Sequence, residues 1–359
     1  MQRKTIIIQI TENCNLNCSY CYQHGKTINK IELEQVKSII SQSFQKKDDF
    51  DEIEFDFIGG EPLLYPDLIM ETCNWTWQQK FNKPYIFFVN TNGTLLRNDF
   101  KIWARLNRDK IWLGLSLDGT KEMHDINRNN SYDKIDVNYF IDNWPEQAVK
   151  MTISPLTLKS FSKGVIDIHK RGFRVNANLA YGVDWSGESY KTILSDELAK
   201  LIEFYLKNES IIPIRLLNMP LFNLLTNNRE KYCGTGTGMA ACDIYAKKYP
   251  CQLFYNLTIK DEAWRKYDFN CIHENYYSNC YSKEFFNLCP ICIGINFSQN
   301  NVKFKCDKHL CQLMHVFFKA NAYFQFQQLK NKTFNGESPQ KTLEAIRLIN
   351  NILYYIKIL

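Results

Sequence analysis

No run in this 359-residue chain approaches the roughly eighteen consecutive apolar residues of a membrane-spanning helix, so no membrane partner is expected. A secretory start is also missing. Met1-Gln2-Arg3-Lys4 leads into the strand-like Thr5-Ile6-Ile7-Ile8 and then a polar loop, with no cleavage pattern. Charge of one sign is not concentrated either. The 44 basic and 38 acidic residues leave a net +6 that is spread without a basic block, so nucleic acid is not an expected partner. Together these absences point to the cytoplasm, a reducing compartment. Cysteine, by contrast, is abundant. Thirteen are present, an odd count, and such density in a reducing compartment indicates metal ligation rather than disulfides. Three lie at 14–21, Cys73 stands alone and nine fall between Cys233 and Cys311, so two metal-binding regions are the simplest account.

The first group is Cys14-Asn15-Leu16-Asn17-Cys18-Ser19-Tyr20-Cys21, a C-x3-C-x2-C loop directly after an apolar run. Three thiolates hold three irons of a [4Fe–4S] cluster, whereas a closed structural cluster takes four protein ligands. The remaining iron is then open to a small molecule, as in catalytic metal sites generally. A zinc knuckle or three buried thiols would give the same spacing. The loop resembles that of the radical S-adenosylmethionine (SAM) enzymes, in which the methionine end of SAM chelates the open iron. An aromatic residue usually precedes the last cysteine there, and Tyr20 fits.

From residue 5 to about 210, strand-length apolar runs alternate with helix-period segments. The expected strands are 5–11, 52–58, 84–91, 110–117, 148–154 and 173–180. The expected helices are 31–47, 66–80, 97–107, 131–143, 158–171 and 192–207. Near-continuous apolar strands suit a parallel sheet covered on both faces. Six such units with right-handed crossovers predict an α/β fold, a partial (β/α)6 TIM-like barrel. In such sheets the chemistry gathers at the carboxyl ends of the strands.

The motifs fall at those ends. Gly59-Gly60-Glu61-Pro62 follows strand two; adjacent glycines admit close backbone approach, and Glu61 offers an acceptor to a cation. By the radical SAM resemblance, this segment contacts the amino group of SAM. Asn90-Thr91-Asn92-Gly93 ends strand three, where many relatives have the same TNG. Ser116-Leu117-Asp118-Gly119 with His124-Asp125-Ile126-Asn127-Arg128 is similar to a stretch of the subfamily carrying a SPASM extension. That resemblance puts Ser116 and Asp118 near the SAM ribose and pairs Arg128, a planar two-pronged donor, with its carboxylate. His124 and Asp125 are read instead as ordering a helix-entry loop. Strand five, Met151 to Ile153, is expected to set an apolar side chain against the adenine.

Pro213 and Pro220 mark a transition, and the expected domains are residues 1–215, 216–330 and 331–359. Cys233-Gly234-Thr235-Gly236 and Tyr249-Pro250-Cys251 resemble the two ends of the hairpin in SPASM or twitch extensions. Met239 to Tyr245 is expected to pair there with Gln252 to Leu257. Ala246 departs from the glycine usual in that turn. Cys280, Cys289, Cys292, Cys306 and Cys311 resemble the remaining pattern, except that Lys283 stands where a cysteine is expected. The resemblance implies one or two auxiliary [4Fe–4S] clusters. Cys233, Cys251, Cys271 and Cys292 are allotted to the first. Cys280, Cys289 and Cys311 are allotted to the second, completed by Cys306 or by substrate. Structural zinc is the competing reading. Cys73 and Cys242 are read as small buried hydrophobes. A helix continues over 312–330. Ser338-Pro339 opens another, whose Leu343, Ile346, Ile349 and Leu353 are expected to pack on the barrel.

The resemblance implies an enzyme that cleaves SAM reductively and abstracts hydrogen from a peptide or protein substrate. A maturase forming thioether or carbon–carbon crosslinks in a ribosomally made peptide is the leading expectation. An anaerobic sulfatase maturase making formylglycine, and a non-catalytic Fe–S or electron-transfer protein, are the alternatives. The implied partners are a reductant such as flavodoxin or ferredoxin and, because Cys14 lies so near the start, either a separate leader-binding protein or another surface of this chain for leader binding.

Overall fold

The computed structural model describes residues 2–46, 48–226, 233–266, 283–290, 292–300 and 307–356. Expected strands and helices form close to their predicted places: β1 (Arg3–Thr11), α1 (Leu33–Gln45), β2 (Glu52–Gly59), α2 (Pro66–Trp77), β3 (Tyr85–Thr91), α3 (Asn98–Leu106) and β4 (Ile111–Leu115). A short helix α4 (Lys121–Asn127) follows, then α5 (Val137–Asn143), β5 (Val149–Ile153), α6 (Phe161–Lys170), β6 (Val175–Leu179) and α7 (Tyr190–Lys207). The later chain adds β7 (Met239–Cys242), β8 (Lys248–Tyr249), α8 (Ile293–Asn300), α9 (Lys308–Asn331) and α10 (Pro339–Ile356). Among the described residues no helix is long and apolar enough to cross a membrane.

Internal contacts divide the chain into two compact units. The first holds Met1–Leu117, His124–Lys150 and Gly234–Cys271; the second holds Asp118–Met123, Met151–Cys233 and Ile272–Leu359.

In the first unit a six-stranded sheet runs β4-β3-β2-β1-β7-β8. Strands β4 to β1 pair in parallel, in the order that successive strand–helix units generate. Along β2 and β3 the side chains alternate: Ile53, Phe55, Phe57, Phe87 and Val89 are buried on one face. Phe57 stacks on Phe87 at 5.3 Å, and Phe44 of α1 stacks on Phe81 at 3.9 Å. Removing either core ring would cost about 3–5 kcal/mol. Helix α1 starts with a reciprocal capping box between Glu32 and Gln35 and buries Val36, Ile39, Ile40 and Phe44.

Strand β7 was expected in a local hairpin only. It also pairs in parallel with β1, Thr5 facing Met239 and Ile8 facing Cys242. Its antiparallel partner is Lys248–Tyr249, not Gln252 to Leu257, because Gln252–Phe254 coils into a 3-10 turn after Cys251. The connection places Ala246 at φ 61°. Cys242 and Cys73 are both buried, as read from the sequence.

In the second unit β6 pairs with β5, and α7 lies against α6 and α9. Buried amides fasten α9: Asn321 Nδ2 donates to Leu216 O at 2.8 Å and Gln325 Nε2 to Met219 O at 2.7 Å. Helix α10 was expected against the barrel. Its buried Ala345, Ile346 and Ile349 instead accompany packing on α9 and on Leu221–Leu225.

Candidate functional site

The cysteine loop leaves the carboxyl end of β1 and is tied on both sides by backbone hydrogen bonds. Gly60 N donates to Thr11 O at 2.9 Å and Glu61 N to Asn13 O at 2.8 Å. On the other side Ser19 N donates to Asn127 O at 2.9 Å, joining the loop to the end of α4. Contact with the Gly-Gly segment is so close that only glycine fits. A Cβ on Gly60 would sit 2.1 Å from Asn13 O and 2.8 Å from Cys14 Cβ, and one on Gly59 would sit 2.6 Å from Thr11 O.

Cys14, Cys18 and Cys21 are all partly exposed. Cys14 Sγ accepts from Leu16 N at 3.4 Å, and Cys21 Sγ lies 3.8 Å from Gln23 O. Burial pushes the Cys14 thiol up; Leu16 N and Lys26 pull it down, while Glu61 and Cys21 add to the rise. Among the described residues, no three His, Cys, Asp or Glu side chains converge on one point as a metal cage. The donors nevertheless suit an iron–sulfur cluster: three soft thiols on one eight-residue loop, accessible, with glycine keeping the adjoining segment clear of side chains.

Glu61 is 1% exposed. Its Oε1 accepts from Leu63 N at 3.0 Å and Thr91 Oγ1 at 2.7 Å, and its Oε2 accepts from Asn92 N at 2.7 Å. The carboxylate thus staples the ends of β2 and β3 together, a role that motif reasoning missed. Leu63 N, two residues on, is a local capping contact that the Glu-Pro pair could have suggested, but Thr91 and Asn92 lie some thirty residues away and leave no local pattern. Burial raises Glu61 to about 7, against the pull of Asn92, Thr91 and Leu63 and, more weakly, Arg128. The Arg128 guanidinium lies 5.5 Å from the centroid of the Tyr20 ring, bringing those two predicted residues together. Ser116 is half-buried beside β3, its N–H donating to Thr91 O at 2.9 Å.

Asp118 belongs to the second unit, fully buried, and its Oδ1 accepts from Thr152 N at 2.9 Å. Met151 is buried, its methyl close enough that a Cβ on Gly164 of α6 would approach it to 2.9 Å. His124 and Asp125 lie inside α4 and order the turn after it, not a loop before it. His124 Nε2 is 3.1 Å from Ser131 Oγ, and Asp125 Oδ1 accepts from Tyr132 N at 2.9 Å.

Of the later cysteines, Cys251 and Cys311 are buried, Cys233 is exposed, and Cys289 and Cys292 are intermediate. Cys271, Cys280 and Cys306 lie outside the described residues.

Residues 8–138 match the radical SAM superfamily. The chain is similar to a cysteine-type anaerobic sulfatase-maturating enzyme of Clostridium novyi (strain NT), 26% identical over 69% of this chain and 73% of that protein. Its fold is similar to anSMEcpe with bound AdoMet and Cp18Cys peptide, with a TM-score of 0.68 at 19% identity, covering 93% of this chain and 99% of that one. It is also similar to Streptococcus suis SuiB bound to its precursor peptide SuiA, with a TM-score of 0.58 at 13% identity over 86% and 76%. Enzymes of this superfamily use a [4Fe–4S] cluster and SAM. Residues 8–138 therefore form a radical SAM domain, within a chain that is a mixed α/β protein.

Proposed function

We propose that this protein is a radical SAM enzyme acting on a peptide or protein side chain, and that a ribosomally made peptide is its substrate. One observation carries the reading. Two solved proteins that share most of this fold, anSMEcpe and SuiB, are each seen with a peptide bound.

When bound, the cluster and SAM supply one-electron cleavage to a 5′-deoxyadenosyl radical, which takes a hydrogen atom from an unactivated C–H bond. The residues of this chain have supporting tasks. Cys14, Cys18 and Cys21 supply thiolates, and only the thiolate binds metal. Gly59 and Gly60 let the backbone approach the amino end of SAM. Glu61 fixes the two strand ends that carry this segment, and Arg128, stacked on Tyr20, offers a planar donor pair to the SAM carboxylate. Ser116 and Asp118 take the ribose. Cys233, Cys251, Cys271, Cys280, Cys289, Cys292, Cys306 and Cys311 supply the ligands of one or two auxiliary clusters, and a flavodoxin or ferredoxin supplies electrons.

Sulfatase maturation is the second reading, favoured by similarity to sulfatase-maturating enzymes in both sequence and fold. Incubation of the reconstituted, reduced enzyme and SAM with a sulfatase-motif peptide separates the two. The peptide-maturase reading expects 5′-deoxyadenosine without a mass loss at the motif cysteine or serine. A mass loss there establishes sulfatase maturation instead. Absence of 5′-deoxyadenosine under all conditions would overturn both.

A further inference from the structure

The two faces of the parallel sheet in the first unit differ. Phe55, Phe57, Phe87 and Val89 are fully covered on one face; on the other, Ile7 and Gln9 of β1 are also buried, but Asp56 and Ile58 of β2 and Phe88 and Asn90 of β3 are only half-buried. A parallel sheet ordinarily has both faces covered, so the partly open one calls for an explanation. Polar contacts run from β2 and β3 of this face to Lys150 of β5, a residue of the first unit that lies outside this sheet. Asn90 Nδ2 donates to Asp56 Oδ1, and Lys150 Nζ donates to Asn90 Oδ1. Lys150 is itself exposed, with its ammonium 5.5 Å from the centroid of the Phe88 ring.

An ammonium has three donors, and Asn90 occupies one. The Phe88 ring beside it offers an apolar floor for methylene groups. That combination suits a carboxylate on a short aliphatic stem. We propose that Lys150 is a carboxylate-binding subsite selecting an aspartate or glutamate of the peptide substrate, with Asn90 and Asp56 as positioning residues behind it; this rests on the peptide reading above.

Asp56 makes the subsite pH-dependent. Burial raises its carboxyl to about 7, Lys150 opposing and Glu54 adding to the rise. Glu54 is itself paired with Arg3 at 3.0 Å. The positions facing Asp56 from β1 are Ile7 and Gln9, from β3 Phe88 and Asn90, and from β4 Trp112 and Gly114, none of them charged. Below pH 7 a neutral Asp56 leaves the Lys150 charge to an incoming carboxylate. Above it the Asp56 carboxylate competes, so acid selection weakens as pH rises from about 6 to about 8.

The test is selection of short cysteine-centred peptides from a random library by the reconstituted enzyme with SAM. Wild type is expected to enrich Asp or Glu near the cysteine by about fivefold at pH 6.5 and less at pH 8. Lys150→Met should abolish the enrichment and Lys150→Arg restore it. Asp56→Asn should keep the enrichment and lose its pH dependence, a change that a purely structural role would not produce. Enrichment unchanged in Lys150→Met, or absent in wild type, overturns the proposal. So does a Lys150→Met variant that weakens SAM binding about tenfold with acid selection intact, which would assign the carboxylate to SAM. Retention of no peptide by any variant overturns the peptide reading itself, a distinguishable failure.

Discussion

The two groups of cysteines are held in opposite ways. Cys14, Cys18 and Cys21 share one short loop, all partly exposed and fastened by backbone hydrogen bonds to the Gly-Gly segment and to α4. The later cysteines sit on separate elements. Cys251 leads into a buried 3-10 turn, Cys311 lies fully buried in α9, and Cys233 is exposed. A ligand loop written within eight residues depends on its own backbone and on the two segments that hold it, whereas ligands spread over some eighty residues depend on every element that carries them. The first group should therefore respond to changes in the loop, in Gly59-Gly60 and at the end of α4, and to little else.

The sharpest break is the triple substitution Cys14, Cys18, Cys21→Ala. It should lower 5′-deoxyadenosine formation by about a thousandfold or more while the iron and sulfide held by the later cysteines persist. Iron analysis with product chromatography checks it; unchanged iron would mean that the N-terminal loop holds no cluster. Next in size is Gly60→Ala. The clash with Asn13 O at 2.1 Å involves backbone, so the loop itself must move. Destabilisation of about 2–4 kcal/mol and an about hundredfold loss of SAM cleavage are expected. Gly238→Ala is the control, since its nearest neighbour is the Phe50 ring edge at 3.5 Å. It should behave like wild type in both assays.

This contrast also sorts what the sequence made legible. Strands β1 to β6 and their helices declare themselves by periodicity, because an apolar run and its flanking turns are local. The C-x3-C-x2-C loop and the Gly-Gly segment at the strand ends are legible for the same reason. Pairing of β7 with β1 is not, since Met-Ala-Ala-Cys is four residues long and meets its partner more than two hundred positions away. The packing of α10 fails similarly: the face was readable, but its partner is α9. Glu61 is the instructive case, visible as an acid beside two glycines yet occupied by donors on β3 that only the fold supplies.

Glu61→Gln refines the comparison at intermediate size. Glutamine keeps one acceptor oxygen and turns an NH2 toward a donor, at a cost of about 1–3 kcal/mol near neutral pH. The pH slope has a definite sign. With Glu61 raised from 4.5 to about 7, the folded state holds a proton that the unfolded state has released between those values. Stability is therefore full below about pH 4.5, falls as pH rises toward 7 and levels off beyond. Denaturant titrations from pH 4.5 to 8 should show a shallower decline in the variant. An identical slope would remove Glu61 as its origin.

The smallest effect belongs to the later region. Ala246 sits at φ 61°, a left-handed conformation that costs a residue with a Cβ about 1 kcal/mol. Asp243 enforces it: its Oδ1 accepts from Tyr245 N and Lys247 N, both at 2.9 Å, its carbonyl accepts from Ala246 N at 2.9 Å, and Tyr249 Oη donates to Oδ2 at 2.9 Å. The turn is thus fixed by the aspartate whatever follows it. Ala246→Gly should raise Tm by about 1–3 °C without changing the iron bound by the later cysteines. If iron content changed as well, the turn would be positioning Cys251, two residues beyond Tyr249, and the hairpin would be one of the elements on which the later cysteines depend.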